Sequence, residues 1–414
     1  MQRVFDAAEL RAAEVAALVL RDNYYQTQAL SLSKRLARPL LEQQARFMRF
    51  LEKAGRLNRA LEFLPDDATI DERREQAIGL TAPEGAVLLA YSKLWLFDEL
   101  LASDLPEDPF VAEALHRYFP TQLREKYAAY MERHPLRREI VATYVLNSMV
   151  NRVGATFVHR LSENTGAPPA QVVRAYLLAR ESFANGEARA AIEALDNRVP
   201  DEVQAEMLVE LARLTERATI WFLRSRRLTD PMAETIARLR PAAERLLAYI
   251  AAEPGKPRQR HQQHERWLDA GVPAEVAARV ASAEAQFAAL DVAEIAEQSQ
   301  RSLDEVAGTY FTLGDELGLD RLRAQIVQLH AEGYWQARAK AALGDDLADL
   351  QREFAAQAVR LHGGGDPKAA VAAWEQANAH ALARARRLID ELAQVRTMDL
   401  ATGSVALREL RNLA

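Results

Sequence analysis

Residues 147 to 167, NSMVNRVGATFVHRLSENTGA, place two asparagines, an arginine, a histidine and a glycine within thirteen positions of an apolar stretch. Such a set offers amide donors, a fixed cation and an imidazole that titrates near neutrality. Proton transfer or acyl transfer also needs an acid, a base or an activated nucleophile in register. At helical spacing Thr143, Asn147, Asn151 and Gly154 advance by four, four and three, so they form one narrow stripe of polar and small residues. Ile140, Tyr144, Val145, Met149, Val153 and Phe157 make most of the remainder apolar. The stripe lacks a nucleophile or an acid. It suits close approach of a second backbone, with the amides bonding across and fixing register. Thr143, Asn147, Asn151 and Gly154 are therefore read as helix-contact residues, and His159, a lone histidine, as structural.

The other candidates for chemistry reduce in the same way. Lys93 interrupts LLAYSKLWLFDELL and has the setting of a buried base with a lowered pKa; the plainer reading packs its stem and sends its amine to water, Asp98 or Glu99. His261 and His264 lie three apart in EPGKPRQRHQQHERW, but no carboxylate or cysteine completes a metal shell, and the segment reads as a solvated linker. The glycine cluster HGGGD at 362–366 follows no strand and precedes Pro367, so it is expected as a loop between helices and not a dinucleotide-binding turn. No G-x-x-x-x-G-K-[ST], G-x-S-x-G or H-E-x-x-H occurs. The acidic pairs Asp66–Asp67 and Asp345–Asp346 are expected at helix beginnings, where they complement the dipole. Zero cysteines remove thiol chemistry, thiolate metal sites and disulfides together.

The elements that would carry these residues are helices. Ala, Leu, Arg and Glu dominate, aromatics are 7%, and β-branched residues rarely alternate. Residues 5 to 33 and 40 to 64 read as two helices, the second with a seam of Leu40, Gln43, Phe47, Phe50, Ala54, Leu57, Leu61 and Leu64. TIDE (Thr69, Glu72) and TAPE (Thr81, Glu84) each match a capping box. The helix after Thr81 is apolar enough to be buried on most sides, and one helix is expected over 136–163, closed by Gly166. From Leu161, LSENTGAPPAQVVRAYLLARESF aligns without gaps on IAEQSQRSLDEVAGTYFTLGDEL from Ile295, pairing Thr165 with Ser299, Val172 with Val306 and Tyr176 with Tyr310. A looser match sets Trp221 against Trp335. The expected architecture is all-α: a helical bundle over 1–160, a repeat unit over 161–252, a linker and connecting helix over 253–294, and a second repeat unit with C-terminal helices over 295–414, with no Rossmann domain.

No apolar run approaches the ~18–20 residues that span a bilayer, and MQRVFDAAELRAAE lacks the order of a signal peptide. The expectation is a soluble cytoplasmic protein without membrane contact. A formal charge of −6 over 414 residues opposes general nucleic-acid binding. An independent helical scaffold or regulatory protein is one class consistent with these features.

The segments EVAALVLRDNYYQTQALSL (14–32), RALEFLP (59–65), LTAPEGAVLLAYSKLWLFDELLASDLPEDPF (80–110) and LRREIVATYVLNSMVNRVGATFVHRLSENTGA (136–167), with the Tyr176 helix, strongly resemble the C-terminal helical region of the large bacterial NAD-specific glutamate dehydrogenases. The resemblance is dense over residues 14 to about 190 and diffuse beyond. Gly85 departs from the family pattern, which more often carries a larger residue there. The resemblance implies an enzyme that converts L-glutamate, NAD and water to 2-oxoglutarate, ammonia and NADH as a large homo-oligomer. The family's catalytic residues and Rossmann glycines lie upstream of the matched region, so no catalytic, cofactor or metal residue is carried onto this chain. It implies a part that is inactive alone, binds no NAD itself, and partners the catalytic domain of the same enzyme. Asp22, Asn23 and Tyr24, within LRDNYYQT, join the contact residues as the segment expected to pack back on the catalytic body.

Overall fold

The computed structural model describes residues 34–225, 227–252, 258–331, 333–362, 365–394 and 398–413, and among them every regular element is a helix. The all-α class follows from the sequence as expected. The helix expected over 5–33, with Asp22, Asn23 and Tyr24, lies outside the described residues. None of the described helices is long and apolar enough to cross a membrane. Two compact units divide the chain at Ala237/Arg238, whereas the sequence reading drew boundaries after residues 160, 252 and 294.

The first unit begins with α1 (Lys34–Lys53), α2 (Asp67–Gln76) and α3 (Ala82–Leu101). The expected seam from 40 to 64 stops early. Gly55 turns to φ +68 and Arg56 donates back to the Leu51 carbonyl, the backbone closure that ends a helix on a left-handed glycine. Leu40, Phe47, Leu57 and Leu64 are still buried, but Leu61 is 74% and Phe63 89% exposed. At the start of α2, Asp66 accepts from the Thr69 N–H at 2.8 Å, so Thr69 is inside the helix and its expected box with Glu72 gives way to an aspartate cap three residues earlier. The box at Thr81 forms in both directions: Glu84 accepts from the Thr81 N–H at 2.7 Å and Thr81 Oγ1 from the Glu84 N–H at 3.4 Å. α3 buries Gly85, Leu88, Ser92, Trp95, Leu96 and Leu100, so it is covered on one face and not on most sides; Leu94 is 61% exposed.

The chain continues through α4 (Pro109–Ala112), α5 (Ala114–Tyr118) and α6 (Thr121–Glu132) to α7 (Arg137–Val153), α8 (Phe157–Thr165), α9 (Pro169–Ser182), α10 (Asn185–Glu193) and α11 (Asp201–Arg224). The single helix expected over 136–163 is two. Gly154 ends α7 at φ +87, ψ 170, a backbone region essentially reserved for glycine, and its N–H still reaches the Val150 carbonyl. α7 packs on α3, and α9 packs on α11. α12 (Met232–Ala252) contains the division between the units.

In the second unit, α13 (Arg258–Asp269) occupies part of the expected linker, with Trp267 fully buried; a helix of Gln, Arg and Glu around one large apolar anchor replaces the solvated loop. α14 (Ala274–Ala281), α15 (Ala283–Gln286), α16 (Ala289–Ser299), α17 (Leu303–Glu316), α18 (Leu319–Gln328), α19 (Gly333–Leu361), α20 (Pro367–Ala377), α21 (Ala379–Gln394) and α22 (Leu400–Arg411) follow. Leu313, Leu347, Phe354, Trp374 and Leu407 form the centre of its core. A Cβ on Gly308 would stand 2.5 Å from Pro367 Cγ, so a glycine there permits the approach of α17 to α20. Asp345 and Asp346 fall inside α19 and not at its start; Asp346 pairs with Arg411 at 2.9 Å.

The ungapped alignment of Leu161 with Ile295 has a structural counterpart. α8 and α16 end at the paired Thr165 and Ser299, and α9 and α17 start at the paired Pro169 and Leu303 and end at the paired Ser182 and Glu316. Thr165 donates to the Leu161 carbonyl and Ser299 to that of Ile295, each at 2.6 Å. Tyr176 and Tyr310 are both buried. The looser pairing fares differently: Trp221 is half-buried near the end of α11, and Trp335 is 73% exposed in the first turn of α19.

Candidate contact face

α7 owes its placement to Val141, Ala142, Val145, Leu146, Met149, Val150 and Val153, which recur at helical spacing and are all buried. Thr143, Asn147 and Asn151 lie on the other side of the helix and are half-buried. None of the three side chains makes a hydrogen bond among the described residues. Gly154 is buried, but as the terminator of α7 it leaves the stripe. The expected contact set thus resolves into three half-buried polar residues and one helix terminator.

His159 sits on α8 in a cage of rings: 4.7 Å from Phe50, 5.1 Å from Phe47 and 6.4 Å from Trp95 between centroids. Its Nδ1 is 3.8 Å from Glu163 Oε2, and Glu163 is held by a two-pronged bond from Arg46 at 2.9 and 3.2 Å. Burial pushes the imidazole pKa down, Glu163 opposes that shift and Arg46 adds to it. The residue ties α1, α3 and α8 together, with no substrate-sized opening needed to explain it.

Among the described residues Lys93 makes neither of the two ion pairs that the plainer sequence reading offered beside water. Asp98, one of its two expected partners, pairs with Arg56, and no carboxylate pairs with Lys93 among the described residues. Burial alone lowers its amine to about 8. Beside it, Tyr91 donates to Glu62 at 2.6 Å. These two links pin the loop after α1 against α3, while Leu61, Phe63 and Leu94 project outward. Phe63 is also at φ +54, unfavourable for an aromatic residue. Large apolar side chains left in solvent are the kind of surface that association uses.

Sequence reasoning missed a second cluster. Arg152 of α7 and Arg180 of α9 both donate to Ser148 Oγ, the latter at 3.2 Å, and Arg189 of α10 stands on the same cleft. The four-residue spacing of Ser148 and Arg152 was visible; the convergence of three helices was not.

Among the described residues no strand precedes a glycine-rich turn, and no group of three or more His, Asp or Glu is arranged to hold a metal ion. A family model described as "Glutamate dehydrogenase, C-terminal" matches residues 77–412. The chain is 38% identical over 409 residues to the NAD-specific glutamate dehydrogenase of Halomonas elongata and 39% identical over 403 residues to that of Pseudomonas aeruginosa. It is 33% identical over 407 residues to that of Mycobacterium tuberculosis. Each alignment takes in 97% of this chain and 25% of the relative, so the chain spans about a quarter of the length of the proteins it matches.

Proposed function

The chain belongs to the glutamate dehydrogenase C-terminal family, and from that membership we propose that it serves as the helical C-terminal part of an NAD-specific glutamate dehydrogenase. The assembled enzyme would convert L-glutamate, NAD and water to 2-oxoglutarate, ammonia and NADH. This part would support and assemble the catalytic body without performing chemistry or binding NAD itself. The observation that carries the reading is the alignment of nearly the whole chain, 97%, with one quarter of three NAD-specific glutamate dehydrogenases.

The physical features agree with a docking part. Dinucleotide recognition uses a strand, a tight glycine turn and a helix N-terminus facing the pyrophosphate, and the described residues offer helices alone. Thr143, Asn147 and Asn151 present polar groups with no partner among those residues, and Leu61, Phe63 and Leu94 present apolar ones. Both kinds of surface suit a catalytic domain of the same enzyme, and the assembly would be a cytoplasmic homo-oligomer. No membrane or nucleic-acid contact is proposed.

Two measurements test the reading. The 414-residue chain, incubated with L-glutamate and NAD, is expected to form no NADH; turnover at enzyme-like rates would overturn the non-catalytic role. Exchanging the matched quarter of the Pseudomonas aeruginosa enzyme for this chain is expected to retain NADH formation. A folded but inactive and dissociated chimera would count against the family role.

A further inference from the structure

We propose that the cleft formed by Arg152, Arg180 and Arg189 is a binding site for a small oxyanion, a carboxylate or phosphate group carried on a compact body. The cleft lies between α7, α9, α10 and α11 and is small, with a cavity volume of about 30 Å³. Its walls bring three guanidinium groups together and include no carboxylate. Leu208 and Leu211 line it as well, and Tyr176 stands close enough to Arg152 and Arg180 to act on their charges.

The arginines are built into the fold. Arg152 donates to the Ser148 carbonyl at 2.8 Å and to its hydroxyl. Arg180 donates to the same hydroxyl and grips Glu181 with Nε and Nη2. A single serine therefore holds two like charges close together. Arg189 uses Nε on Glu193 at 2.6 Å and retains its two terminal nitrogens for another acceptor. Side chains of Arg180 and Arg189 are 17% and 12% exposed, so their charges are poorly screened by water. Burial depresses the Arg152 pKa first, and the nearby Arg180 and Arg189 depress it further, while Tyr176 and Glu193 oppose that.

Burial works against the Arg180 charge, but Tyr176 and Glu181 outweigh it and its pKa is raised, while Glu193 takes one nitrogen of Arg189; a bound anion would therefore act chiefly on the terminal nitrogens of Arg189 and on the depressed charge of Arg152. Guanidinium groups also match the two oxygens of a carboxylate or phosphate with paired, parallel hydrogen bonds. Asn185, whose amide nitrogen donates to Thr215 at 2.9 Å, lines the floor and adds a fixed polar edge. A cavity of about 30 Å³ admits the charged end of a ligand at most and excludes a folded partner. This inference does not rest on the dehydrogenase reading, because it is argued from the contacts of these side chains alone.

The test is calorimetric titration of the 414-residue chain with inorganic phosphate and, separately, with succinate, at fixed ionic strength in chloride. Saturable one-to-one binding of either probe is expected, and the two arms decide between phosphate and carboxylate as the preferred group. Arg189→Gln, which gives up only the Glu193 pair, is expected to weaken binding at least tenfold. Glu193→Gln, which frees Arg189 from its competing carboxylate, is expected to tighten it several-fold. Binding of neither probe, or affinities unchanged in both variants, would overturn the site. Should Arg189→Gln misfold, the opposite-direction change in Glu193→Gln still decides.

Discussion

Replacing Lys93 by Met should make the isolated chain more stable at neutral pH, although it removes a charge from a helix. The amine is half-buried on α3 with its pKa lowered from 10.5 to about 8 by burial alone. A difference of about 2.5 units at ~1.36 kcal/mol each would amount to ~3.4 kcal/mol if the amine were fully removed from water. Partial exposure and screening reduce the expected effect to ~1–2 kcal/mol. The sign follows from proton binding. Below pH 8 both folded and unfolded chains carry the proton, so the folded state bears the whole penalty; between about 8 and 10.5 the unfolded chain binds more protons, and wild-type stability rises with pH. Met fills a similar volume and has no charge to desolvate. Urea unfolding of both chains, followed by circular dichroism across that window, should give Lys93→Met the higher midpoint at pH 7 and a difference that shrinks toward pH 10.5. A variant no more stable at pH 7, with the same pH slope as wild type, would refute the reasoning.

Four other outcomes follow from named contacts. Gly154→Ala should destabilise the chain by ~1–3 kcal/mol, since φ +87, ψ 170 is strained for any side chain; an unchanged melting temperature would show that α7 and α8 can join differently. Because the folded-state pKa of His159 lies below its unfolded value of 6.5, its stabilising contribution is complete above that value and is lost as pH falls; His159→Gln should flatten the melting profile below pH 6.5. Thr81→Ala removes the acceptor for the Glu84 N–H and should cost ~1 kcal/mol, read as a shift in urea midpoint without a change in slope. Asn147→Leu with Asn151→Leu should change the melting of the isolated chain little, as neither amide bonds to a described residue, yet weaken assembly in the chimeric enzyme on size exclusion; intact assembly would remove these residues from the contact face.

The fold class and the local signals were legible because they depend on near neighbours. The box at Thr81 and the left-handed Gly166 were readable from a few residues, whereas Gly55, whose turn ends α1, was passed over because the apolar repeat continues beyond it. That repeat misled because periodicity records which residues share a helical face only while the helix lasts; after Gly55 the same spacing leaves Leu61 and Phe63 in solvent. The linker reading of residues 253–267 weighed Pro, Gly and charge, and underweighted Trp267 as an anchor. The arginine cleft was invisible because Arg152, Arg180 and Arg189 meet only after three helices pack, whereas Asn147 and Asn151 share one helix and could be grouped on a wheel.

Departures from local consistency indicate where such a chain is built for something other than its own stability. The ring cage around His159 is closed: Arg46, Glu163 and three aromatic residues account for its surroundings. Lys93 is different, because its charge is half-buried with no carboxylate among the described residues to offset it. Phe63 is different too, being an exposed aromatic in a left-handed backbone. Asn147 and Asn151 add amides without acceptors or donors among those residues. All four lie between residues 63 and 151 of the first unit. A scaffold that only had to fold would lose nothing by replacing them, so their replacement should separate stability from assembly: isolated chains at least as stable, and chimeric enzymes that assemble less well.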